Sequence, residues 1–460
     1  MVHMQGVGRI TRLVALATMT TVLGVAVTAC NAVGSAAPET VTVGSTVLAP
    51  PNTTSVTVPG SAAPIAPVSS APVALSAGDA PSSAPDSSAP ANSAPASSAP
   101  ASSPVALAVA TVSASPAFGS KTLGPADPFK ISVGKGKITD LQVLTPSGRA
   151  LKGDLSADGT TWTVGEVLGF GKTYTASGTA TGADGRTVPI KGSVTTVNPA
   201  SKVQATISPG DGKVVGVATS VIVAFSTEPT DRDLIAKAMT ITTTPKVTGA
   251  WVWIHHDDKR WALDFRTQSY WPANTKVHVE AKIYGLKFAT AAYGAGDVTR
   301  DFTIGRSQLV KANVNSHFLE VLRNGKKVAS YPASYGKGDT PDKITRSGVH
   351  VVNDLFPTKL MSNPKYGYTN VLEKWAVRIS DNGEFIHANP KTVGDQGNTN
   401  VSHGCVNLSA KDAEAYFKSA LMGDPVEVTG TSIQLGSSDG DLFDWTYSWD
   451  QWKNLSVKQY

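Results

Sequence analysis

Apolar and polar residues alternate with a period of two along much of this chain, and the runs are short. Between Lys121 and Pro199, Thr, Val and Tyr alternate with polar neighbours, and turn signals recur at Pro146-Ser147-Gly148, Ala157-Asp158-Gly159 and Ala183-Asp184-Gly185. Successive side chains of a strand point to opposite faces, so such runs predict half-buried strands joined by tight turns. Val203 to Ile304 repeats the theme in Val221-Ile222-Val223-Ala224-Phe225, Ala250-Trp251-Val252-Trp253-Ile254 and Lys276-Val277-His278-Val279-Glu280. Two small antiparallel β-sandwich domains of immunoglobulin-like architecture are predicted, over residues 121–200 and 201–305. Neither has the Cys…Trp…Cys spacing of antibody domains.

From Arg306 the pattern changes. Phe318 to Val328 predicts a hairpin, because Asn324-Gly325 suits a type I′ turn between alternating strands. A second turn, Asp381-Asn382-Gly383, joins Trp375–Ile379 to Glu384–His387 and leaves His387 at a strand end, near the rim of a sheet. Ser409 with Asp412 resembles a capping box. Ala413, Tyr416, Phe417, Ala420 and Leu421 then follow at helical spacing, and Gly423 marks a stop. A mostly-β domain with one short helix is predicted for 306–429. In the tail, 430–460, Trp445, Trp449 and Trp452 fall on one helical face and predict an anchor packed on the rest of the protein. The fold class is mainly β.

The N-terminal quarter reads differently. Arg9 and Arg12 precede an apolar run from Leu13 to Val27, so residues 1–29 are expected to be an export signal. Its end, Val27-Thr28-Ala29-Cys30, resembles a bacterial lipobox, which makes Cys30 the expected site of lipidation. Residues 30–120 are rich in Ala, Pro, Ser, Thr and Val, with near-repeats of Ser-Ser-Ala-Pro and no aromatic residue before Phe118. Such a stretch cannot bury enough apolar surface to offset its ordering entropy and is expected to be a disordered tether. As a random coil it would span on the order of 50 Å, and as polyproline helix about 280 Å. The expected location is the cell envelope, lipid-anchored to the outer face of the cytoplasmic membrane. Forty Lys+Arg against thirty-five Asp+Glu give a net charge of only +5, with no basic cluster. Nucleic acid is excluded as a partner on that ground.

Cysteine usage narrows the chemistry. Of two cysteines, Cys30 is accounted for by the lipobox, which leaves Cys405 as a lone exported thiol. It lies in Asn400-Val401-Ser402-His403-Gly404-Cys405-Val406-Asn407, where small residues let backbone amides approach a substrate. A thiol with a histidine in reach is the minimal kit for nucleophilic acyl transfer. His387 is the candidate base. The amides of Gly404 and Cys405 are the expected oxyanion hole. A metal site from Cys405, His403 and His387 would be incomplete. His255-His256-Asp257-Asp258 would chelate poorly, because adjacent strand residues face opposite ways. Neither a metal nor a cofactor is predicted.

His387 followed by Ser402-His403-Gly404-Cys405-Val406-Asn407 resembles the signature of the L,D-transpeptidases, whose catalytic fold is called YkuD. The whole chain resembles the mycobacterial L,D-transpeptidase lipoproteins, in which immunoglobulin-like modules precede the catalytic domain. The resemblance implies roles. Cys405 attacks, and His387 is held by a backbone carbonyl rather than by an acidic side chain. His403 and Asn407 position loop or substrate, and Ser402 fixes the loop or touches substrate. Tyr366, in a mobile lid from Lys359 to Leu372, faces the pocket. It also implies peptidoglycan tetrapeptide stems as substrate, 3→3 cross-links between diaminopimelate residues as product, and carbapenem β-lactams as covalent inhibitors. Water as acceptor would instead give a carboxypeptidase. A wall-binding lipoprotein with a decayed catalytic domain is the non-enzymatic alternative, and the complete residue set argues against it. Between Met361 and Trp375 the chain looks shorter than in better-known mycobacterial members.

Overall fold

The computed structural model describes residues 108–256, 261–439 and 444–458. The expected export signal, Cys30, the tether as far as residue 107, and Asp257 and Asp258 lie outside the described residues. The rest is mostly β, with two β-sandwich regions followed by a two-sheet domain that carries Cys405.

In the first sandwich, Thr111–Ser115, Lys130–Gly134, Thr161–Val164 and Gly153–Leu155 form one sheet in that order. Gly136–Leu144, Thr173–Gly182 and Thr187–Thr195 form the other. Alternation along Lys130–Gly134 buries Ile131 and Val133, which join Phe129, Trp162, Leu168 and Ile190 in one core. The strand Thr111–Ser115 corrects the expected tether boundary at 120. It pairs residue for residue with Lys130–Gly134, yet its side chains are small and only half-buried, so composition alone hid it.

Two four-stranded sheets close the second sandwich around the fully buried Trp253, with Phe225, Phe265, Trp271 and Phe288 beside it. A short helix, Arg232–Lys237, is capped by Asp231, whose carboxylate accepts from the Leu234 amide.

Nine strands and one helix make the domain that holds Cys405. They are β1 (Gln308–Asn313), β2 (Phe318–Arg323), β3 (Lys326–Pro332), β4 (Gly348–Val351), β5 (Asp354–Asn363), β6 (Tyr368–Arg378), β7 (Phe385–Ala388), β8 (Val406–Leu408), α1 (Ala410–Ser419) and β9 (Pro425–Thr429). One sheet runs β3-β2-β1-β9-β4 and the other β5-β6-β7-β8. Both central residues of the β2–β3 turn have positive φ, +48° at Asn324 and +75° at Gly325, as a type I′ turn requires. Helix α1 packs on β6 and β7. It starts where Ser409 Oγ accepts the Asp412 amide at 3.1 Å and buries Ala413 and Tyr416. It ends at Ser419, short of Gly423.

Gly423 has a different job. The Gly216 amide donates to Met422 O at 2.7 Å and the Ala218 amide to Gly423 O at 2.8 Å, which seams the second sandwich to the domain that holds Cys405. A Cβ on Gly423 would lie 1.8 Å from Thr219 Oγ1, and its φ is +86°. No side chain fits there.

The tail returns to the second sandwich as α2 (Trp449–Lys458). Trp452 is buried against Val252 and Ile254, while Trp445 Nε1 donates to Ala218 O at 2.8 Å. Arg266, itself buried, lies 4.7, 5.8 and 5.1 Å from the rings of Trp445, Trp449 and Trp452. Its guanidinium donates to the carbonyls of Asp444 and Tyr447 at 2.6 and 2.9 Å. Burial, reinforced by the neighbouring Asp264, pushes the Asp444 carboxyl up to about 7. An acid raised on folding stabilises fully below its unfolded pKa, near 3.9, and loses that contribution as pH rises through about 7. The tail should therefore be better protected at pH 5 than at pH 8. Hydrogen exchange across 444–455 is the measurement, and Asp444→Asn should flatten the difference.

Candidate active site

The site begins at the rim of the second sheet. His387 is the third residue of the buried run Phe385-Ile386-His387-Ala388. Its side chain points away from the core face that takes Ile386. Strand β8 runs parallel to β7 with His387 opposite Asn407, so the buried Asn407 flanks the histidine. The ring's Nδ1 donates to Ala388 O at 3.0 Å. The carboxylate of Glu373 lies 3.3 Å from the same nitrogen. That leaves Nε2 as the nitrogen for Cys405, which interacts electrostatically with the ring. Burial alone would depress the imidazole, but Cys405 and Glu373 outweigh it and raise His387 to about 10. The ring is then protonated at neutral pH. An imidazolium beside a sulfur favours the thiolate, the form that attacks a carbonyl.

The loop carrying Cys405 is fixed at almost every residue. Asn400 Oδ1 accepts the Tyr335 amide at 3.0 Å and its Nδ2 donates to Val314 O at 3.2 Å. The Val401 amide donates to Ser334 Oγ at 3.1 Å. Ser402 Oγ donates to Cys405 O at 2.6 Å and accepts the Gly404 amide at 3.1 Å. Thr345 Oγ1 donates to Gly404 O at 2.8 Å. Gly404 has φ +128°, a region that side chains resist. This geometry changes two expectations. The Ser402 hydroxyl is turned inward on the loop and does not face substrate. The Gly404 amide is occupied by Ser402, so it cannot also point at an oxyanion. Among the described residues the amides of His403 and Cys405 donate to no protein oxygen, and they are the available donors.

The expected lid is the β5–β6 hairpin, whose turn is closed by Pro364–Tyr366 and a left-handed Gly367. It covers a cavity of about 340 Å³ lined by Arg346, Lys359, Tyr368, His403, Gly404 and Cys405 among others. Tyr368, not Tyr366, lines this cavity. Tyr366 stacks on His403 at 4.7 Å between ring centroids and 12° between planes, and the neighbouring Asp342 carboxylate raises its phenol. Burial and the nearby Cys405 raise the Tyr368 phenol. Sequence spacing cannot separate two tyrosines two residues apart on a hairpin that ends in a tight turn. Tyr368→Phe should therefore slow acylation of Cys405 by about tenfold, about 1.4 kcal/mol, and Tyr366→Phe by much less. Stopped-flow kinetics with a carbapenem measures both.

One wall of the cavity is a buried ionic set. Arg346 Nε pairs with Asp439 at 2.6 Å, and Glu384 Oε1 accepts the Arg346 amide at 2.9 Å while its other oxygen accepts from Ser380 at 3.0 Å. Burial raises the Glu384 carboxyl. Sequence reading missed this set, and also Thr345 and Glu373, because none belongs to a motif and each is brought in by tertiary register. His256 faces the buried Asp264 at 3.2 Å, while His255 packs on Trp261. Among the described residues no group of three His, Cys, Asp or Glu side chains is arranged to hold a metal ion.

Comparison with known proteins matches two regions of the chain to families. Residues 307–428 match the L,D-transpeptidase catalytic domain, and residues 120–287 match a bacterial Ig domain. L,D-transpeptidase 5 of Mycobacterium tuberculosis is 44% identical over 342 residues, covering 74% of this chain and 76% of that one. L,D-transpeptidase 2 of the same organism is 34% identical over 361 residues, covering 76% and 86%. A solved structure of an L,D-transpeptidase in complex with imipenem is 31% identical and covers 50% of this chain and 100% of that one, with a TM-score of 0.42. The chain belongs to the L,D-transpeptidase family.

Proposed function

We propose that this protein forms 3→3 cross-links in peptidoglycan, with Cys405 as nucleophile. The observation that carries the reading is Cys405, which lines a lidded cavity and interacts electrostatically with the buried His387, on a catalytic domain of this family. The Cys405 thiolate attacks the carbonyl of the L-centre of diaminopimelate in a tetrapeptide stem. A C–S bond forms, the C–N bond to D-alanine breaks, and His387 gives its proton to the leaving amine. The side-chain amine of a second diaminopimelate then attacks the thioester. A new C–N bond forms, the C–S bond breaks, and the amine's proton returns to the Cys405–His387 pair. The amides of His403 and Cys405 face the oxyanion in both steps. A strained β-lactam carbonyl offers the thiolate the same target, which makes carbapenems acylating inhibitors. Lipid attachment at Cys30 would hold the catalytic domain on the outer face of the cytoplasmic membrane.

Purified protein given disaccharide-tetrapeptide should yield dimers that have lost one D-alanine, read by mass spectrometry. Tripeptide monomers as sole product would mean hydrolysis, and no product from tetrapeptide would overturn the reading. Mass spectrometry of the mature N-terminus tests the anchor: an unmodified terminus downstream of Cys30 removes it.

A further inference from the structure

Strand β6 does not run straight past the catalytic histidine. Lys374 pairs with Ala388 and Val377 with Ile386, so three steps on β6 span two on β7. One extra residue is inserted, and Trp375 takes the left-handed region with φ +54°. In an unbroken strand Glu373, four residues from the core-facing Val377, would share the face of Val377. The inserted residue reverses that parity and moves Glu373 onto the face of His387. Bulges beside active sites re-aim side chains in this way. Trp375 is itself braced against Phe417 of α1, ring centroids 5.3 Å apart.

We propose that Glu373 is a positioning residue for His387, and that the bulge exists in this chain to deliver it. The Ala388 carbonyl accepts the Nδ1 proton, and the Glu373 carboxylate lies 3.3 Å from the same nitrogen. Together they hold the ring with Nε2 toward Cys405, and the added negative charge favours the imidazolium over the neutral ring. The Ala388 carbonyl alone would fix only the tautomer. This rests on the proposed catalytic role of the Cys405–His387 pair for its consequence in turnover, though not for its direct test. The groups around the ring are few. Glu373 comes from β6 and Cys405 from the loop before β8, and both act on the ring. Asn407 on β8 is neutral, Tyr368 sits with Cys405 and Glu373, and His403 stacks beneath Tyr366.

The test is a titration of His387 by NMR with histidine-labelled full chain, the resonance assigned with His387→Ala. In Glu373→Gln the imidazolium should lose its proton at a pH lower by one unit or more, a tenfold weakening of proton affinity. Glu373→Asp, with the charge one methylene short, should fall between. The alkaline limb of carbapenem acylation should move by the same amount, since His387 must still carry the proton that the leaving nitrogen needs. An unmoved titration in a folded Glu373→Gln protein overturns the proposal, whether or not the enzyme cross-links. A shifted titration without any covalent adduct would support Glu373 and sink the catalytic reading instead. Should Glu373→Gln fail to fold, Glu373→Asp carries the same comparison, and a wild-type titration there overturns the proposal.

Discussion

Cys405→Ala should fold normally and cross-link at a rate at least about 10⁴-fold below wild type. The side chain is half-buried and small, and its Sγ makes only a 3.7 Å contact to Gly383 O. Its loss costs about 1 kcal/mol of stability or less. The loop that presents it is held by Asn400, Ser402 and Thr345, none of which depends on the sulfur. Covalent β-lactam adducts should vanish in the same variant, seen by intact mass. His387→Ala should be nearly as damaging, and the double variant no worse than either alone, because groups that act as a unit fail together. A Cys405→Ala protein that still forms dimers at near wild-type rate ends the thioester mechanism. An active His387→Ala protein would move the proton-transfer role to another group.

Arg306→Ala should destabilise the protein by about 3–5 kcal/mol. Asp424 is fully buried and pairs bidentately with Arg306, at 3.1 Å from Nη1 and 2.8 Å from Nη2. Arg306 also donates to Ser419 O at the end of α1. Burial pushes the Asp424 carboxyl up even with the arginine present. Without it the carboxylate would remain buried with only the Gln308 amide and the Leu421 N–H as donors. The sign follows. The folded pKa of Asp424 would rise further, so part of the loss should return as pH falls and the carboxyl protonates. Arg306→Ala/Asp424→Asn should recover about half at neutral pH. Denaturant unfolding of the wild type and both variants at two pH values decides it, and a loss below about 1 kcal/mol would mean the pair is screened like a surface bridge.

The strands were legible in the sequence because their faces are sharply different. Ile131 and Val133 against polar neighbours, or Asn324-Gly325 between alternating runs, follow from local chemistry. The helix start at Ser409 was legible for the same reason. Cys405 and His387 could be picked out because an isolated thiol in a chain expected to be exported needs a reason and a motif surrounds it. What remained hidden depends on register. Glu373 reaches His387 only through an inserted residue in β6, and no periodicity announces that insertion. The exchange of roles between Tyr366 and Tyr368 turns on how a hairpin closes. The occupied Gly404 amide depends on one serine rotamer. Thr111–Ser115 escaped because five small residues look the same in a tether and in an edge strand.

The glycine seam has a practical consequence for anyone dissecting this chain. Met422 and Gly423 pair through their backbones with Gly216 and Ala218, and Tyr270 reaches across to Glu427 at 3.1 Å. A fragment cut at the sequence boundary before Arg306 would expose those groups and leave the tail's tryptophans without the Arg266 they surround. A unit that keeps the seam and the tail therefore has to run from the second sandwich through Lys458, and cutting it at Ser201 would strip Phe170 from Tyr284 and Tyr293.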